Sequence, residues 1–97
     1  MTQPDPNNEI RLGELIGQQV VIDLQSPYVC LGTLQGVDGH FLDLVDADLH
    51  DFRDTRATRE IYVYDSARLG IRRNRARVLI RLAEVVAITR IADILGD

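Results

Sequence analysis

The chain has no tryptophan and only one cysteine. A single cysteine excludes an internal disulfide and fits a reducing compartment. Cys30 lies between Val29 and Leu31 in a strand-like run with no histidine beside it. It therefore reads as a small buried thiol rather than a nucleophile. No run approaches the roughly 18 apolar residues of a membrane span. The opening residues, MTQPDPNNE, have neither the basic nor the apolar region of a secretory signal. The expectation is a soluble protein of the cytoplasm. Lysine is missing too: all eleven basic residues are arginine. A genome composition bias accounts for this, and so does a preference for planar, bidentate contacts to phosphate or carboxylate.

What is present is one domain's worth of chain, 97 residues with 45% hydrophobic side chains. That is near the size where oligomerisation often adds stability. The net charge of −4 hides an asymmetry. Residues 1–54 hold ten acids and two arginines, and residues 55–97 hold nine arginines and five acids. An acidic protein does not exclude nucleic acid, because a local basic patch supplies the footprint.

Residues 1–8 read as a tail, and residues 9–97 as a single domain. Asn8 is placed to cap a short helix, Glu9 to Ile16, with Gly17 just past its end. Gln18–Gln25 alternates as a strand, and Ser26-Pro27 marks a turn. Tyr28–Val37 is a second strand, in which Gly32 and Gly36 suggest bending or close backbone approach. Asp38-Gly39 is a hairpin turn signal. His40–Leu49 is a third strand whose apolar parity slips, which predicts a bulge near Leu44-Val45. Residues 50–76 are too long and polar for a plain loop. Within them Thr58–Leu69 fits a helix capped by Thr58 and stopped at Gly70, although REIYVYD also suits a strand. Arg77–Ile91 reads as a hairpin of two apolar strands with a tight turn at Ala83-Glu84. Ala92–Leu95 closes the chain as a short tail. The fold class expected is all-β with helical decoration: a small five-stranded open barrel with an N-terminal helix and an inserted helix.

This order resembles the Sm-like family, which has an SH3-like barrel. Gly32, Leu34, Gly36, Asp38 and Phe41 resemble its first motif. Ile80-Arg81-Leu82-Ala83-Glu84-Val85-Val86-Ala87-Ile88 follows the spacing of its second. The resemblance implies a ring of about five to seven subunits and binding of RNA near Asp38, Phe41 and Arg81. Two positions depart from the pattern. Leu42 or Asp43 stands where the family has a base-reading asparagine, and Leu82 stands where it has glycine. Residues 50–76 are a longer insert than most members carry.

The arginine-rich stretch, with Arg72, Arg73, Arg75 and Arg77, joins Arg81 as a candidate phosphate-binding set. Its other reading is charge balance, with Asp46, Asp48, Asp51 and Asp54 as partners across subunits. Tyr62 is a candidate for base stacking or for core packing. Val78, Ile80, Val86 and Ile88 are the candidate oligomer interface. Asp46, Asp48 and His50 alternate along one strand, a weak metal-ligand pattern. The same spacing describes any solvent-facing strand, so no metal, cofactor or catalytic residue is expected. The function implied is that of a bacterial RNA-binding ring or, as the alternative, a ring-forming protein-interaction scaffold.

Overall fold

The structure, a computed structural model, describes residues 11–54 and 58–96. The proposed Asn8 cap and the start of the first helix lie outside them. Residues 11–13 are helical. The chain then tightens, with Leu15 N–H donating to Leu12 O and Ile16 N–H to Gly13 O. Five strands follow: β1 (Gln19–Leu24), β2 (Tyr28–Val37), β3 (Phe41–Asp51), β4 (Arg75–Arg81) and β5 (Val85–Arg90). Helix α1 (Arg59–Leu69) stands between β3 and β4. Thr58 accepts a hydrogen bond from the Ile61 amide at 3.3 Å and caps it. At its end Gly70 adopts φ +102, open to glycine at no steric cost. The strand reading of REIYVYD is thus overturned. The N-cap and the glycine stop hold as helix a segment whose β-branched and aromatic residues otherwise favour a strand.

All strand pairs are antiparallel, in the order β4-β3-β2-β1-β5. This corrects the expected Arg77–Ile91 hairpin. β4 and β5 are three residues apart in sequence and occupy opposite edges of the sheet. The link between them, Leu82–Glu84, is a 3-10 turn flanked by extended residues Arg81 and Val85. It carries the chain across the open end of the barrel instead of reversing it in the plane. β5 then pairs with β1, Ile22 opposite Ile88. Two of the four residues of the arginine tract, Arg75 and Arg77, belong to β4 itself.

Curling the sheet this far needs local irregularity. Across β2 and β3, Leu31 faces Asp48 and Thr33 faces Val45, so β3 carries an additional residue there. Asp46 takes up the distortion with φ 49, one position beyond the predicted bulge. Gly32 makes the bend possible: a Cβ on it would lie 3.0 Å from the Cβ of Ala47. A second irregularity leaves Gln35 of β2 as an additional residue between Leu34 and Gly36, and a third lies in β5, where Val86 is the additional residue between Ala87 and Val85. Val86 therefore turns out to solvent, while Val85 and Ile88 pack on the core.

The barrel interior is built by Val20, Ile22, Leu24, Cys30, Leu34, Leu42, Leu44, Ala47 and Ile80. Each large aliphatic group fully buried there contributes about 1.5–3 kcal/mol. A second cluster forms on the outer face of β1 and β2, where Val21, Val29 and Leu31 meet Val63 of α1. Tyr62, Phe52, Ile71, Ile91 and Ile94 pack around it. The outer face of β1 and β2 is thus covered by α1 and the Ile91–Ile94 segment. That explains why Val20-Val21-Ile22 and Val29-Cys30-Leu31 are continuous buried runs. No helix among the described residues is long and apolar enough to cross a membrane.

Candidate nucleic-acid interface

The turn between β2 and β3 is held by one side chain. Asp38 Oδ1 accepts from the amides of His40 and Phe41, both at 2.7 Å. Those two amides hold the Asp38 carboxyl below its ordinary range. The Asp38 amide donates to Phe41 O at 3.1 Å and closes the turn. The turn is also tied to the β4–β5 link, because the Leu82 amide donates to His40 O at 2.8 Å. Phe41 and Arg81 stand opposite each other in the β3–β4 register. Together these contacts form a cavity of about 360 Å³ lined by Gly39, His40, Phe41, Arg81, Leu82 and Ala83. Phe41 is 37% exposed. Arg81 is exposed and has no acidic partner among the described residues.

Of the candidate residues, Asp38, Phe41 and Arg81 are brought together here. The others lie elsewhere. Arg77 grips Asp43 with two bonds of 2.9 and 2.7 Å, and this lowers the Asp43 carboxyl. Arg73 pairs with Asp46 at 2.8 Å. Arg75 donates to Asn74 O, and Arg72 lines a cavity beside Asp48 and α1. The Tyr62 ring stacks on His50 at 4.1 Å, nearly parallel, and meets Phe52 edge-on. Val78 and Ile80 line an apolar cleft of about 450 Å³ beside β4. Ile80 is buried in the chain's own core, and Val86 is 64% exposed.

The predicted face of Asp46, Asp48 and His50 does not form. The bulge at Asp46 breaks its alternation and leaves that side chain exposed on Arg73. Asp48 is buried, and burial raises its carboxyl. Among the described residues no group of three His, Cys, Asp or Glu side chains is placed to hold a metal. Burial pushes the Cys30 thiol up to about 12, as a packed thiol requires.

Three residues take roles that the sequence did not assign them. His40 lines the pocket and takes part in its closure. Asp43 neutralises Arg77. Asn74, the one neutral polar residue of RRNRAR, works as an extra strand neighbour: it donates to Leu49 O, accepts from the Leu49 amide and donates to Asp48. An asparagine amide carries both donor and acceptor, as a peptide does. That was the available signal.

No family model and no curated protein matches the chain. Solved structures do. A Pyrococcus abyssi Sm protein in complex with a uridine heptamer is 19% identical, with a TM-score of 0.58, covering 90% of this chain and 99% of that one. An Sm-like protein from Archaeoglobus fulgidus is 17% identical, with a TM-score of 0.57, covering 93% and 99%. The fold is that of Sm proteins.

Proposed function

We propose that this chain binds single-stranded RNA as a ring of about five to seven identical subunits. The observation that carries this reading is the Phe41–Arg81 pocket: an exposed aromatic ring beside an unpaired guanidinium, held by the Asp38 turn. Aromatic rings stack on unpaired bases, and arginine meets phosphates or base edges. A protein of the same fold was solved with a uridine heptamer, which supports the same use of this surface. The ring is supported by the open sheet. β4 and β5 are its two edges, and each has apolar side chains exposed, Leu79 at 53% and Val86 at 64%. Pairing β4 of one subunit with β5 of the next would satisfy both edges and close by symmetry. In a ring, weak pockets repeat, so modest contacts add along one strand of RNA.

A specific observation favours the second reading, a protein-interaction ring without RNA. Arg73 and Arg77 are already neutralised by acids of their own chain. Two measurements decide. Solution mass gives the assembly, with a multiple of the subunit mass expected and a monomer counting against the ring. Titration of oligouridine at rising salt gives the binding, with affinity expected to fall steeply. An intact ring that binds no RNA at low salt leaves the scaffold.

A further inference from the structure

The pocket's hydrogen-bonding groups are unevenly distributed. No acid lines it. Asp38 points its Oδ1 into its own turn. Asp43, the nearest carboxylate along β3, is held by both nitrogens of the Arg77 fork. Several main-chain acceptors are already engaged. His40 O takes the Leu82 amide, Leu82 O takes the Val85 amide, and Ala83 O faces the Gln25 side-chain amide at 3.5 Å. Arg81 adds five N–H donors in a planar fork, and it is not stacked on Phe41 or bound to a carboxylate. His40 is the one ambivalent group, able to donate or accept. Phe41, Leu82 and Ala83 supply apolar surface. The cavity, about 360 Å³, falls within the usual range for small-ligand sites, roughly 300–1,000 Å³.

A pocket of this kind favours a flat base whose exposed edge presents two neighbouring acceptors. Guanine does so with O6 and N7, the pair that arginine meets bidentately. Adenine puts an N–H₂ donor beside N7 and would aim a donor at a donor. Uracil's two carbonyls flank an N–H, so it offers the fork one acceptor at a time. We propose that the Phe41–Arg81 pocket selects guanine in single-stranded RNA, ahead of uracil and well ahead of adenine. The selection rests on the RNA-binding reading, and Arg81 is its specificity-determining residue.

The test uses the whole protein and labelled RNA heptamers in fluorescence anisotropy at fixed low salt. One heptamer is all adenosine. Three others carry a single central guanosine, inosine or 7-deazaguanosine. Guanosine should tighten binding about fivefold or more over all-adenosine. Inosine keeps O6 and N7 and should retain the gain; 7-deazaguanosine lacks N7 and should lose most of it. Arg81→Lys keeps the charge without the fork. It should preserve salt-dependent binding and erase the guanosine gain. Equal affinity for the guanosine and all-adenosine heptamers overturns the selection and leaves RNA binding standing. Failure of every heptamer to bind overturns RNA binding itself. GMP competing as well as the guanosine heptamer would overturn RNA as the source of the base.

Discussion

Arg81 and Arg77 leave the same strand on the same face, four residues apart, and end in different states. At the turn end of β4, Arg81 faces Phe41 across the ladder and finds no acid. Further along, Arg77 reaches diagonally to Asp43 and closes a bidentate pair. The difference lies in the opposite strand, which presents a phenyl ring at one end and a carboxylate two residues later. Arginine density in a sequence is therefore not cationic surface. A run of six arginines from residue 68 to 81 leaves only some of its charge available, and the available charge is what a ligand meets.

That contrast can be broken or sharpened. The largest effect should come from Ile80, which points inward between the two arginines and is 7% exposed. Ile80→Ala should cost about 2–5 kcal/mol in urea unfolding, loosening both ends of β4 together. A cost below about 1 kcal/mol would show that the two ends do not share a rigid strand. Next comes Arg81→Ala, expected to weaken RNA binding about tenfold per site while the melting curve stays in place. A matching loss of stability would make Arg81 structural. Asp38→Ala should act third, loosening the turn and weakening binding less than Arg81→Ala. Its pH dependence has a definite sign. The Asp38 carboxyl is lowered in the fold, so its contribution is present above the unfolded value of about 3.9. It should be lost as pH falls through the lower folded value. Protection of the Phe41 amide from exchange, taken relative to the intrinsic rate at each pH, should fall with acid in the parent protein and change little in Asp38→Ala. The smallest effect is expected of Arg77→Ala, about twofold or less on binding. An effect equal to that of Arg81→Ala would erase the distinction between the paired and the free arginine.

Much of the fold was legible. β2 begins at Tyr28 and ends at Val37 as its pattern suggests, and Thr58 and Gly70 bound α1 as their side chains dictate. These features are local: alternation, a cap, and a glycine at positive φ. The face that α1 buries was not legible, because its apolar residues form no continuous stripe. Val63 and Tyr62 meet the sheet while Ile61 stays 54% exposed. Nor was the separation of β4 from β5, since neighbouring strands usually pair. Motif spacing named Asp38, Phe41 and Arg81 as candidates, and the structure gathers them at one turn. That His40 shares the pocket and that Asp43 pairs with Arg77 follows only from laying β3 against β4.

By itself the sequence determined the five strands, the helix between the third and fourth, the Asp38 turn and the surplus of arginine. Each follows from side-chain preferences over a few residues. Tertiary structure alone decided which arginines of the 68–81 stretch remain free. The Arg77–Asp43 pair joins residues 34 apart, brought together by the unbroken register of β3 on β4. It also decided that β1 and β2 are buried on both faces. Only packing of α1 and the last turn against them removes the second face from water.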